Sequence, residues 1–355
     1  MKREARAMPE QRELTQPGPL LTPDGHLAQV GWARQPLLDC NLEDARFYPS
    51  LLRPLQRFRV KKWDYYGVTT PTMFFSATIA DLGYAGTVFV YLVDFERKTF
   101  HEESKTIPLA SGVSLPRNST EGESGYHGKK QKLRFWVEKE ARRVQVAWLD
   151  FAGEPLEADI TLAHAPDRHE STVIVIPIGE KRFYYNRKIN AMPASGSIKI
   201  GRHLIELSPE TALGNLDWGR GVWEYDSFWV WASASGRLAD ARIVGLNFGF
   251  GFGDDSAATE NTLLLDGRIH KFGKIDIRYN PRNFMSPWWM ISDDGRVNLH
   301  FQPILERMAR TPLVVIDSEV HQMFGRYSGQ VMADDGEIIA IDGLLGWAEE
   351  HRARW

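Results

Sequence analysis

The sequence predicts an all-β protein of two similar antiparallel lobes, each a barrel or sandwich, with little helix. Three observations lead there. Strand-length apolar runs recur along the 355 residues, separated by Gly, Pro, Asn and Asp turn signals. Helix-period patterning is scarce, and Leu305 to Ala309 is the best short helix candidate. The second half also echoes the first. Trp63-Asp64-Tyr65 is answered by Trp223-Glu224-Tyr225, and each block precedes an aromatic strand (MFFSATIA, FWVWASAS), a turn and a second apolar strand (TVFVYLVDF, ARIVGLNFGF). Leu133-Arg134-Phe135 and Leu299-His300-Phe301 extend the echo. One large continuous sandwich is the alternative architecture.

Composition narrows the partners. A formal net charge of −3 with both signs interspersed makes no electrostatic case for nucleic acid. The single cysteine, Cys40, excludes an internal disulfide and a Cys-rich metal site. The opening MKREARAMPEQRELTQ has charges but lacks the apolar segment of a signal peptide. No run approaches the roughly 18 apolar residues of a spanning helix. These features point to a cytoplasmic protein with no transmembrane segment. His164 and His169 straddle Pro166 without metal-ligand spacing, so zinc is not expected. No P-loop, Rossmann fingerprint or G-x-S-x-G elbow follows a strand and opens a helix, so no cofactor is expected.

In chain order, residues 1–16 read as a flexible tail and 17–59 as an irregular strap, rich in proline and anchored by isolated apolar residues. Pro23-Asp24-Gly25 is a turn, since proline presets φ and glycine takes the positive-φ position. Residues 42–58 have room for a short helix broken at Pro49 and Pro54. Residues 60–180 form the first β-lobe. WDYYGV, TMFFSATIADL and GTVFVYLVDFE are its opening strands, and Lys139-Glu140-Ala141 turns between two later ones. Residues 181–355 form the second lobe, in which Asp335-Gly336 between two alternating runs is a hairpin signal.

Trp218 to Asn261 is the densest stretch. Trp229 and Trp231 occupy one face of a strand and Phe228 and Val230 the other, so both faces are large and apolar, as in a central strand. The run from Asn247 to Gly253 then alternates Phe with Gly and ends at Asp254 and Asp255, with Glu260 and Asn261 close behind. Glycine within a strand marks a bulge or a close backbone approach. An aromatic cavity with acids at its mouth fits this pattern. Asp254, Asp255 and Glu260 are the candidate catalytic groups, because desolvation and mutual repulsion raise a carboxyl pKa toward proton-transfer chemistry. The competing reading is a turn capped by side-chain to backbone hydrogen bonds. Candidate ligand contacts are Arg220, Trp223, Trp229, Trp231, Asn247, Phe250, Phe252 and Asn261, with Trp288 and Trp289 as a further wall. Tyr126 and His321 are possible proton donors. For Arg220 a buried pair with Glu224 competes with a role in binding a polar ligand head.

With these residues laid out, the chain resembles the bacterial family known as the domain of unknown function DUF2804. The likeness is carried from Pro36-Leu37-Leu38-Asp39 onward by KKWDYYGV, TIADLGYAGTVFVYLVDFE, WGRGVWEYDSFWVWASASG, LNFGFGFGDDSAATEN and the glycine-rich end. More distantly, HQMFGRYSGQV and GLLGWAEE are similar to the double lipocalin-like proteins, which include carotenoid 1,2-hydratases, hydratases of prenyl or flavonoid substrates, and pericyclic cyclases. That resemblance implies lipocalin-like lobes and a small-molecule ligand, apolar or amphipathic. The functional expectation is a cofactor-independent enzyme that hydrates, isomerises or cyclises such a molecule by acid–base chemistry. A non-catalytic carrier of a lipid-like or isoprenoid ligand is the first alternative. A glycan-active protein using aromatic stacking and a carboxylate pair is the second.

Overall fold

The computed structural model describes residues 11–312 and 317–354. It is nearly all β, built as two curled antiparallel half-barrel sheets. Six strands frame the junction between the sheets: β1 (Lys61–Thr69), β2 (Phe183–Ile200), β3 (Leu213–Val222), β4 (Asp226–Arg237), β5 (Asp317–Met332) and β6 (Ile338–Arg354). The first sheet runs Thr99–Pro108, Ala85–Asp94, Met73–Asp81, β1, β3, β2, Glu154–Ala163, Ala141–Phe151, Gln131–Glu138, Glu123–His127 and Val113–Ser114. The second runs Arg268–Lys271, Thr262–Leu265, Ile243–Phe250, β4, β6, β5, Val297–Pro312, Trp288–Ser292 and Ile275–Arg278.

The two paths share one plan. In each lobe a meander starts at a central strand, and the lobe's last strand returns to pair with its first: β3 with β1, and β6 with β4. Sheet membership therefore changes between Val222 and Asp226. The strands from Phe183 to Val222, placed by the sequence after a boundary near 180, hydrogen-bond into the first sheet. The shared plan also sets β1 opposite β4. This equates Trp63-Asp64-Tyr65 with Trp229-Val230-Trp231. Trp223-Glu224-Tyr225 instead lies in the connector between lobes.

Three local expectations are corrected. Leu305 to Ala309 is not helical but part of the strand Val297–Pro312, which carries a bulge between Pro303 and Leu305 and pairs throughout with β5. The strap forms two 3₁₀ turns, Leu42–Asp44 and Arg53–Arg59, the second with proline in its first turn. Residues 11–16 are not a loose tail. Leu14 is buried, and its N–H donates to the Trp32 carbonyl at 2.7 Å. The remainder of the expected tail, 1–10, lies outside the described residues.

Each sheet buries apolar side chains inside its own curl: Val144, Val146, Trp148 and Ile189 among others in the first lobe, Val230, Met323 and Ala348 in the second. A further cluster joins the lobes, with Tyr65, Phe74 and Tyr91 from one packed on Trp231, Phe324 and Trp347 from the other. Because side chains alternate along a strand, β1, β2 and β3 present one row inward and another to the second lobe. Among the described residues no helix is long and apolar enough to cross a membrane.

Candidate functional site

The row that faces the junction is unusually polar. Lys188 on β2, Asp217 on β3 and Tyr65 on β1 are cross-strand neighbours. Gln322 on β5, Glu349 on β6 and Trp231 on β4 occupy the same places in the second lobe. In each lobe a tryptophan two residues before the first-strand aromatic donates its indole N–H to the carboxylate of the last strand. Trp63 Nε1 reaches Asp217 Oδ2 at 3.0 Å, and Trp229 Nε1 reaches Glu349 Oε1 at 3.2 Å. The two half-sites meet where Tyr65 and Trp231 pack edge to face, ring centroids 6.0 Å apart.

The halves carry different charge. On the first-lobe side, Lys188 Nζ lies 3.1 Å from Asp217 Oδ1, 3.3 Å from Glu260 Oε2 and 3.9 Å above the Trp231 ring. Burial pulls the ammonium down, but Asp217 and Glu260 more than offset it, so the net shift of Lys188 is upward. Asn186 donates to Asp217 at 2.6 Å, and Asn247 donates to the Glu260 carbonyl at 2.8 Å while accepting the Trp231 indole N–H at 2.8 Å. On the second-lobe side no cation among the described residues bonds Glu349 directly; its other oxygen accepts from Gln322 Nε2 at 3.0 Å. Burial pushes the Glu349 carboxyl up to about 7, against opposing pulls from the Trp229 N–H, Arg307 and Lys188. Gln322 is held in turn by the Tyr91 hydroxyl at 3.0 Å and Arg307 at 3.2 Å, and Tyr91 shares a 2.8 Å hydrogen bond with Tyr65.

An aromatic layer separates these groups from a surface groove of about 320 Å³, a volume at the small end of ligand sites. Trp223, Phe228 and Phe252 line the groove, with Glu224, Asp226 and Asp254 among its polar residues. Trp63 and Tyr184 lie behind Trp223, at 5.3 and 6.2 Å between centroids, and Trp229 lies 5.4 Å behind Phe252. Local sequence builds this layer. Gly219 sits opposite Trp63, and a Cβ there would fall 2.1 Å from the indole. Gly249 likewise leaves the space that the Glu260 carboxylate fills. Gly219→Ala should therefore displace Trp63 and destabilise the fold by about 1–3 kcal/mol. Thermal unfolding measures this, and an unchanged Tm would show that the ring has room to move.

The sequence-derived candidates divide between several places. Trp223, Phe252 and Asp254 line the groove. Trp229, Trp231, Asn247 and Glu260 belong to the junction beneath it. Asp254 is exposed, and its carboxylate accepts from the Ser256 N–H at 3.0 Å and the Ser256 hydroxyl at 2.5 Å, the geometry of a capped turn. Asp255 accepts the Gly251 N–H at 2.9 Å; burial first, then Glu260 and Asp254, raise its pKa to about 6. Asn261 is buried, accepting from the Gly249 N–H and donating to the Gly273 carbonyl, both at 2.8 Å.

The remaining candidates lie elsewhere. Phe250 does not join Phe252: the strand ends at Phe250, which packs toward the second-lobe core, and Gly251 at φ +90° turns Phe252 the other way. Arg220 pairs with Asp64 at 2.9 Å inside the first lobe, not with Glu224, because alternation points it away from the junction. Tyr126 is in the first-lobe core and Trp288 in that of the second, while Trp289 is exposed. His321 sits between Glu306 at 2.6 Å and Glu319 at 3.2 Å, against Phe284. Lys188, Asp217 and Glu349 were not among the candidates. Among the described residues no group of three or more His, Cys, Asp or Glu side chains is placed to hold a metal ion.

The family profile of DUF2804, a domain of unknown function, matches residues 11–355. The chain belongs to this family. A search of curated proteins finds no significant match. Among solved structures, an AttH candidate from Nitrosomonas europaea is similar at 13% identity and a TM-score of 0.49, over 84% of this chain and 92% of that one. Kievitone hydratase from Nectria haematococca is similar at 8% identity and 0.47, over 83% and 88%. CghA with Sch210972 is similar at 9% identity and 0.39, over 83% and 88%.

Proposed function

We propose that the lobe junction carries out acid–base chemistry, such as hydration, isomerisation or cyclisation, on an apolar or amphipathic small molecule, with Glu349 transferring the proton. The observation that carries this reading is one buried carboxyl, raised to about 7, facing a Lys188–Asp217–Glu260 cluster behind an aromatic wall. Near neutral pH such a group is populated in both forms, which suits a general acid or base. Lys188, paired with Asp217 and Glu260, supplies a fixed positive charge opposite it. The Trp223–Phe252 groove binds the apolar body. The acids Glu224, Asp226 and Asp254 along it favour a neutral or cationic polar end over an anionic one.

The aromatic layer between groove and carboxyl supports a second reading. A carrier would hold its ligand above Phe252 and never expose it to Glu349. Deuterium incorporation separates the two. Incubated in D₂O with a panel of isoprenoid and prenylated alkenes, an acid–base enzyme places deuterium on carbon of its substrate, read by mass spectrometry. A panel member that quenches tryptophan fluorescence yet stays unlabelled, with every other member also unlabelled, would leave the carrier.

A further inference from the structure

The inner face of the first lobe holds more positive charge than its acids neutralise. Three arginines point into the curl, Arg142 from Ala141–Phe151, Arg187 from β2 and Arg220 from β3, and none is more than 3% exposed. Asp64 answers Arg220 at 2.9 Å. Arg142 and Arg187 have only neutral partners among the described residues. Arg142 Nη2 donates to the Ser119 carbonyl at 2.6 Å and Nη1 to the Tyr66 hydroxyl at 3.2 Å. Arg187 donates to the Ser171 hydroxyl at 3.1 Å, and to the Ser119 carbonyl at 3.3 Å and hydroxyl at 3.4 Å. Since both reach the same carbonyl oxygen, the two guanidiniums stand no more than about 6 Å apart at their nearest nitrogens.

Pinning the Ser119 loop explains these hydrogen bonds but leaves the charge unexplained. Carbonyls and hydroxyls satisfy N–H groups; they do not cancel two like charges held close together away from water. Guanidinium does not relieve the problem by losing its proton, as a buried lysine does. Nearby donors are also unused. Arg142 Nε is buried and makes no hydrogen bond among the described residues. The hydroxyls of Ser119 and Tyr66 each accept from an arginine and keep a proton to donate. His164 is held neutral, pushed down to about 2 by burial and then by Arg187 and Arg142.

We propose that the first lobe binds one small oxyanion, a phosphate, sulfate or carboxylate group, between Arg142 and Arg187. Guanidinium forks match the planar or tetrahedral oxygens of such groups, and a buried anion would supply the missing countercharge. The site lies on the opposite face of β2 from Lys188, so it is independent of the junction chemistry.

Thermal unfolding and isothermal titration of the full chain test it, comparing sodium phosphate, sulfate and acetate with chloride at matched ionic strength. At least one oxyanion should raise Tm above chloride and bind at one per chain, and Glu349→Gln should respond as the native chain does. Arg187→Met and Arg142→Gln should each weaken that binding by at least about tenfold, since each removes a charged hydrogen-bond donor from the anion. Should Arg187→Met fail to fold, Arg142→Gln and the native chain's selectivity still decide. The site is refuted if no oxyanion outperforms chloride, or if either variant that folds keeps the full response.

Discussion

Glu349→Gln is expected to lower turnover by roughly 10²–10⁴-fold, the usual contribution of one positioned acid or base. The substitution keeps the length of the side chain, and its amide oxygen still accepts the Trp229 N–H made at 3.2 Å. It loses the bond from Gln322 Nε2, worth about 1 kcal/mol. The fold should therefore survive, and a kinetic loss is separable from unfolding. The pH dependence makes a second arm. A carboxyl raised from 4.5 to about 7 is protonated in the folded chain and ionised in the unfolded chain between those values. The folded state then binds more protons, so stability is fully present below about 4.5 and declines as pH rises to about 7. Asp255, raised from 3.8 to about 6, acts in the same direction. Glu349→Gln should flatten the profile of Tm against pH across this window without abolishing its slope. If Glu349 donates the proton, native turnover should also fall as pH rises through about 7. Retained activity in the glutamine variant would remove Glu349 from the mechanism.

Much of the scaffold was legible because strand alternation and turn chemistry are local. Asp335-Gly336 does join β5 to β6, and Lys139-Glu140 lies between two paired strands. The junction charges left a fainter trace. Lys188, Asp217 and Glu349 each interrupt an apolar strand, in FYYNRKINAM, LGNLDWGRGV and LLGWAEEH, and a charge there signals a partner across a buried face. Which partner depends on each lobe's last strand closing on its first, a pairing between residues 154 apart for Trp63 and Asp217 that no local pattern encodes. The repeat misled for the same reason. Trp223-Glu224-Tyr225 copies Trp63-Asp64-Tyr65 in letters, but Trp229-Val230-Trp231 copies its place, and only position brings an indole N–H to a carboxylate. Asp254 and Asp255 stood out because they are adjacent, yet adjacency on a turn selects for capping.

Lys188→Met should produce the largest stability loss in the junction. The ammonium is the one cation within 4 Å of both Asp217 and Glu260 among the described residues. Methionine fills similar volume and keeps the contact with Trp231, so packing changes little. What remains is two carboxylates in a mostly buried site without their countercharge. Breaking a buried pair by removing one partner costs roughly 3–5 kcal/mol. At roughly 2–4 °C per kcal/mol for domains of 150–250 residues, Tm should drop by on the order of 10 °C. Two controls tie the loss to charge. Lys188→Met combined with Asp217→Asn should recover part of the stability, a non-additivity expected of groups in direct contact. Acidification should narrow the deficit as well, by neutralising the stranded carboxylates. A single variant within 2 °C of the native Tm would mean that solvent already screens the cluster, and a solvated Lys188 could not hold a fixed charge opposite Glu349.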